Sequence, residues 1–308
     1  MKMERKVKDA WMLYQMTVLA SSKEKSQGIE AGRWTNYIDP VLGEKEIRDL
    51  TKLDYLILRQ SLEKRKLSPQ TVYHCLSLLR RLLNKMAEWD KDCPQIPGFK
   101  DVMPRFDNRR QRYLDQDELS LVLENLREYE GSGNWHDIAL FAVNTGMRRG
   151  EIFNLTLSDI NFTDKMATIV DTKSCRNRII PLNDIACGIL SKQAEMKNRH
   201  EKIFQNKNPR IFRRAIKASG LNDGITDLRY KVVFHTLRHT FASWLVQGGA
   251  ELALVCQLMG HSNIHVTMRY AHLAPNQARQ AVDLLGRRIS KSRYMRNSAA
   301  KMETEAFS

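Results

Sequence analysis

The chain has no apolar run of about 18 residues, the length a helix needs to cross a bilayer, so no membrane-spanning helix is expected. Its first residues, MKMERKVKDAW, lack the apolar centre of a secretory signal. Cysteines are few and scattered. Cys75, Cys93, Cys175, Cys187 and Cys256 are odd in number and form no C-x-x-C pair, which argues against a zinc ribbon or a disulfide framework and for reduced thiols in a cytosolic protein. Neither an internal repeat nor a low-complexity tract is visible. Acidic residues also run short: 35 Asp and Glu stand against 50 Lys and Arg, a net charge of +15. A surplus of that size suggests a polyanionic partner, nucleic acid first, although a membrane surface would attract it too. Hydrophobic residues make up 42% of the chain, enough to exclude global disorder, and 308 residues are more than one average domain and few for three.

Residues 1–93 read as a helical domain. In TVYHCLSLLRRLLNKMAEW, the residues Val72, Cys75, Leu76, Leu79, Leu82, Leu83 and Met86 recur at steps of three and four, an apolar helical stripe. Ser68 and Pro69 suit its start, one as cap and the other in the first turn. Arg80, Arg81 and Lys85 lie on the opposite face, where they are either solvated or near DNA. Residues 94–112 hold Pro94, Pro97, Gly98 and Pro104, then Arg105, Arg109, Arg110 and Arg112, and read as a basic interdomain linker. A second domain, 113–275, opens with Asp115 and Glu118 in a capping-box arrangement. The buried run DIALFAVNT stops at Gly146, a left-handed helix end. MATIVD and RNRIIPL read as two strands of a β-hairpin joined by TKSC. Helical segments FASWLVQGG and ELALVCQLMGH follow, and 276–308 form a last helix and a basic tail.

Cutting a phosphodiester without a metal gathers negative charge on the non-bridging oxygens, which the planar, permanently charged fork of arginine suits. The attacking group must be activated and the leaving sugar oxygen must gain a proton. Tyrosine can attack, but with a free pKa of about 10 it starts protonated. The minimal kit is two arginines, a tyrosine and one or two proton-handling His or Lys residues. The second domain carries such a kit in order: Arg148 with Glu151 in TGMRRGE, Lys173 in the hairpin turn, His235 and Arg238 in HTLRH, His261 in LMGH, and Tyr270 in TMRYAHL.

These segments resemble, one by one, the catalytic domain of the tyrosine recombinases, or phage integrases, from about Tyr113 to Pro275. The resemblance implies that Arg148 and Arg238 clamp the phosphate and that His235 and His261 bind it and assist proton transfer. Lys173 would protonate the leaving 5′ oxygen, and Tyr270 would form a 3′-phosphotyrosyl link. Glu151 and His239 match supporting positions. Arg149 competes with Arg148, but only Arg148 fits the family's Thr-Gly-x-Arg-x-x-Glu spacing. Lys165 is the rival of Lys173, and Tyr294, in the basic tail, is the weaker rival of Tyr270. Each residue alone has an ordinary explanation, such as a surface ion pair, a core histidine, a solvated lysine or a packed aromatic. Their joint occurrence in family order makes independent explanations untenable.

The fold class implied is mostly α: a two-domain, C-shaped DNA clamp with a helical core-binding domain and a mixed, mainly helical catalytic domain that carries a small β-hairpin sheet. The implied function is site-specific recombination of double-stranded DNA by transesterification, with no cofactor and no metal. It would be performed by a homotetramer, with accessory directionality or DNA-bending proteins as further partners and no membrane involvement. The expected setting is the cytoplasm of a bacterium, at the nucleoid, for an enzyme that integrates or excises a phage or mobile element. A Xer-type chromosome-dimer resolvase, a type IB topoisomerase and a catalytically silent DNA-binding protein are the alternatives. The length leaves little room for an N-terminal arm-binding domain, so a simple recombinase or a fragment is expected. QARQAVDLL, with Ala278, Ala281, Val282 and Leu285 at helical spacing, is the candidate for a helix passed to a neighbouring protomer or docked on its own domain.

Overall fold

The computed structural model describes residues 6–129, 134–170, 177–195, 198–205, 208, 210–275 and 277–290. Lys173, Cys175 and Tyr294 lie outside the described residues. The chain divides into two compact units, Met1–Arg109 and Arg110–Ser308.

The first unit is helical: α1 (Val7–Tyr14), α2 (Glu24–Arg33), α3 (Asp39–Leu42), α4 (Lys52–Lys64) and α5 (Pro69–Trp89). The long α5 is its spine. Ser68 Oγ accepts the Thr71 N–H at 3.2 Å and Pro69 occupies the first turn, which together set where the helix begins. The stripe Val72, Cys75, Leu76, Leu79, Leu82, Leu83 and Met86 is buried throughout, against α1 and α4. Trp11 of α1 stacks on Trp34 with ring centroids 5.0 Å apart. On the outer face, Arg81 is paired with Glu30, and Lys85 with Glu88 at 2.7 Å.

The expected linker is packed at its front. Ile96, Phe99, Val102 and Met103 join the first unit's core, Phe99 stacks on Tyr55 at 4.1 Å, and Arg59 donates to the Val102 carbonyl at 3.2 Å. These apolar side chains cover surface that α4 would otherwise leave wet, so the prolines mark an extended strap and not a free tether. Arg110 and Arg112 belong to the second unit. Arg110 Nη1 donates to the carbonyls of Leu228 and Lys231 at 3.1 and 3.2 Å, and Arg112 pairs with Glu118.

The second unit is built around α7 (Trp135–Thr145), whose Ile138, Ala139, Phe141 and Ala142 are buried against α6 (Gln116–Arg127), α9 (Asp184–Ala194) and α11 (Phe234–Gln247). Asp115 caps α6 through the Glu118 N–H at 2.8 Å, and Glu118 returns the bond at 3.1 Å. After α8 (Arg149–Ile152) come β1 (Ile160–Asn161), β2 (Met166–Ile169) and β3 (Arg178–Pro181), an antiparallel sheet in the order β1-β2-β3. Ala167 pairs with Ile180 and Ile169 with Arg178. The side chains of Ala167, Ile169 and Ile180 point into the core. The expected hairpin is therefore present with a third, short strand at its edge. The second unit continues with α10 (Arg210–Ala218), α12 (Leu252–Met259) and α13 (Gln277–Ser290). On α13, Val282, Leu284, Leu285 and Ile289 are exposed. Among the described residues no helix is long and apolar enough to cross a membrane.

Two glycines at helix ends of the second unit leave no room for a side chain. Gly146 closes α7 at φ +61°, and a Cβ there would come within 2.2 Å of the Phe241 ring. Gly260 closes α12 at φ +61°, and a Cβ there would come within 2.6 Å of the Arg178 guanidinium. Both left-handed positions favour glycine on backbone grounds alone. The carbonyls they expose are used by the site described next.

Candidate active site

Arg148 precedes α8 as its cap, and Glu151 is the third helical residue. Glu151 reaches back to the cap: Oε2 accepts the Arg148 N–H at 2.7 Å and Oε1 accepts Nη1 at 2.8 Å. Arg148 Nη2 then donates to the Gly260 carbonyl at 2.8 Å. Glu151 is also gripped by Arg178, with Nη1 to Oε1 at 2.9 Å and Nη2 to Oε2 at 2.7 Å. Burial works against charge on Glu151, but the Arg178 fork and the Arg148 N–H outweigh it and hold the carboxyl below the usual carboxylate range.

Arg238 lies on α11 and is almost wholly buried. Its Nη1 donates to the Gly146 carbonyl at 2.6 Å and its Nη2 to the Met259 carbonyl. Burial and the nearby Arg148 guanidinium press against its charge. It stays cationic nonetheless, because arginine does not lose its proton in proteins. Both arginines are thus moored to carbonyls at helix ends: Arg238 to those of Gly146 and Met259, Arg148 to that of Gly260.

His261 follows Gly260 directly. Its Nδ1 lies 2.9 Å from Thr267 Oγ1, and burial, then Arg238 and Arg148, push its pKa down to about 4. Tyr270 sits on the 3-10 turn Met268–Leu273, which packs on α11. Its ring is buried, and burial pushes its phenol up to about 12 against the opposing pull of Arg269 and Arg238. The phenol oxygen lies 2.5 Å from Nδ1 of buried His239, whose pKa burial, His235 and three arginines push down to about 3. His235 is exposed at the mouth, its ring edge-on to His239 with centroids 5.0 Å apart. Lost hydration and the surrounding arginines, Arg238 first, lower its pKa.

The structure therefore brings Arg148, Glu151, His235, Arg238, His239, His261 and Tyr270 together within the second unit. Arg149 turns elsewhere: its guanidinium lies over the rings of Phe153 and Phe234, beside a cavity of about 760 Å3 that reaches His235. Lys165 sits in the turn before β2 at φ +52°, with its ammonium on Asp184 at 2.6 Å.

Sequence reasoning missed Arg178, Arg269, Thr267 and Arg110. One signal was available for Arg178. In RNRIIP it is two positions from Ile180, on the strand's inward face, where a charge demands a partner. Arg269 carried no comparable signal beyond its place beside Tyr270.

Comparison with known proteins adds to this geometry. Residues 112–277 match the sequence profile of the phage integrase family. The integrase of Salmonella phage P22 is 32% identical over 251 residues, which are 74% of this chain and 62% of that protein. The tyrosine recombinase XerD of Staphylococcus aureus is 29% identical over 224 residues, 69% of this chain and 75% of its own. The chain thus spans less than two thirds of the P22 integrase. Among solved structures, the Tn1549 transposon integrase in complex with a circular intermediate DNA superposes with a TM-score of 0.73 at 18% identity, covering 91% of this chain and 99% of that one. A lambda integrase dimer bound to a COC′ core site gives 0.66 at 21% identity, covering 85% and 94%. At these identities the likeness is one of fold.

Proposed function

This chain belongs to the phage integrase family, and from that premise we propose that it is a site-specific DNA recombinase whose nucleophile is Tyr270. One observation carries the reading. Two charged, backbone-moored guanidiniums, Arg148 and Arg238, and the phenol of Tyr270 converge around the Gly260 turn, where among the described residues Glu151, itself neutralised by Arg178, is the acidic group engaged. Such a site favours a phosphate and holds a nucleophile against it.

In the proposed reaction, Arg148 and Arg238 bind the non-bridging oxygens of one phosphodiester, with His261 and His235 as further donors. Tyr270 Oη attacks phosphorus, the 3′-phosphotyrosyl bond forms and the 5′ oxygen leaves. Lys173 is the residue proposed to give that oxygen its proton. A 5′ hydroxyl from a partner duplex then attacks the phosphotyrosine. The bond energy is kept in the covalent link, so the exchange needs no ATP. Mooring the arginines in advance removes reorganisation from the attack itself, and groups of this kind contribute about 10²–10³-fold each.

Both units are proposed to bind the same duplex, with four protomers exchanging strands. Val282, Leu285 and Ile289, exposed at helical spacing on α13, are proposed to serve a neighbouring protomer. Accessory DNA-bending or directionality proteins complete the proposed assembly. Integration or excision of a phage or mobile element is the setting that the P22 relative supports. The XerD relative, matched over 75% of its length, favours a resolvase acting on chromosomal sites as the second reading. Sequencing of junctions formed by the protein between two marked duplexes tests the proposal. Reciprocal junctions at a fixed position support it, and junctions joining element to host separate the first reading from the second. Relaxation of supercoils without any junction would make the protein a topoisomerase instead.

A further inference from the structure

Resting on the reading of Tyr270 as nucleophile, we propose that His239 is a catalytic residue: the base that takes the phenol proton as Tyr270 attacks.

The phenol needs such a partner. With its pKa pushed up to about 12, it is fully protonated near neutral pH, and an attacking neutral phenol must lose its proton during bond formation. Two other histidines stand near. His261 has its Nδ1 committed to Thr267 Oγ1 at 2.9 Å, and His235 lies exposed at the mouth. His239 Nδ1 is 2.5 Å from the phenol oxygen, from the adjoining turn of α11, and both groups are buried. A neutral imidazole carrying its proton on Nε2 presents the Nδ1 lone pair to the hydroxyl, which donates.

The charges around His239 give the device a condition. His235 and Arg238 face it from its own helix, Arg269 and Tyr270 from the turn Met268–Leu273, and Arg110 from the start of the unit. The three guanidiniums oppose protonation of His239. A bound phosphodiester brings negative charge to Arg238 and offsets that opposition, and the trigonal-bipyramidal phosphorus in the transition state offsets it further. His239 is therefore a poor base in the free protein and a competent one once the scissile phosphate is seated. Premature ionisation of the nucleophile is avoided without a moving part.

The step balances. As the Oη–P bond forms and the P–O5′ bond breaks, the Tyr270 proton passes to His239 Nδ1, and the departing 5′ oxygen takes a proton from the group assigned to Lys173. In rejoining, the incoming 5′ hydroxyl gives its proton to the group assigned to Lys173, left neutral by the cleavage step, as the new P–O5′ bond forms; the Oη–P bond breaks and the His239 imidazolium returns its proton to the phenol oxygen.

The test uses the full chain and a labelled duplex carrying the recombination site, with the single-turnover rate of covalent-complex formation as readout. His239→Asn keeps a polar group beside the phenol but cannot carry the proton. It is expected to slow the step by about 10²–10³-fold, with DNA affinity retained. A bridging sulfur at the 5′ position removes the need for an acid, and it is expected to leave this defect in place. His239→Gly is expected to regain activity with added imidazoles, faster with the more basic ones. A parent-like rate for His239→Asn, restoration by sulfur, or rescue that is absent or indifferent to imidazole basicity would overturn the proposal. Failure of the underlying reading is distinct: the parent protein itself would then form no covalent complex.

Discussion

Arg178 holds Glu151 with a two-pronged hydrogen bond, 2.9 and 2.7 Å, and Glu151 with its other bonds holds Arg148. The hairpin's second strand, β3, thereby positions an arginine proposed to touch phosphate. Arg178 itself is partly buried, its side chain 12% exposed.

Replacing Arg178 should therefore reach the chemistry through Arg148. Arg178→Ala leaves Glu151 buried and half unpaired, a change that costs about 3–5 kcal/mol for a buried pair and should lower the unfolding midpoint in denaturant. Arg178→Lys keeps the charge but loses the fork. It is expected to remain folded and to bind site DNA, while single-turnover cleavage falls by about 10²-fold because Arg148 is displaced. Cleavage by the Lys variant at the parent rate would show that Arg148 is placed without this support.

Protons should destabilise the native state in a window set by the buried histidines. The ordinary histidine pKa is 6.5, and that of His239 in the folded chain is about 3. As pH falls through 6.5 the unfolded chain binds a proton that the native chain refuses until about 3, so stability declines across that interval. His261, at about 4, adds in the same direction. Glu151, held below the usual carboxylate range, contributes stability that is present above 4.5 and lost as pH falls through its folded value. Thermal unfolding followed from pH 7 to pH 4 should show the decline, and His239→Gln should flatten it. A curve of unchanged slope in that variant would remove His239 from the account.

Much of this molecule is legible where the determinants are local. The α5 stripe, the Ser68 cap, the Asp115–Glu118 box and the Gly146 stop each depend on neighbours within one turn, and each forms as its residues suggest. The Arg148–Glu151 spacing was legible as a pair but not as a cap, since both geometries share the i, i+3 interval. The front of the expected linker was misread because Pro94 and Pro97 mark extended chain without revealing that Phe99 has Tyr55 to cover. The bond from His239 to Tyr270 spans 31 positions and depends on how α11 meets the turn after α12, which no local pattern encodes. His239, expected to be a supporting residue, touches the Tyr270 hydroxyl for that reason.

Binding should be strongly dependent on salt, as the +15 charge implies. If about six phosphates are neutralised, log K should fall with log salt at a slope of about −5. A fragment beginning at Arg110, the observed unit boundary, should keep its helical signal and lose most of its affinity for a single duplex. Equal affinity of fragment and full chain would refute a grip made by both units.

The central claim is that Tyr270 is the nucleophile, and denaturing electrophoresis with labelled site DNA tests it directly. The parent chain should give a protein–DNA adduct that survives denaturant and disappears on proteolysis. Tyr270→Phe keeps the ring but loses the oxygen that lies 2.5 Å from His239. It should bind the same DNA and give no adduct. An adduct that persists in the Phe variant would contradict the account and move the nucleophile to another residue, Tyr294 first.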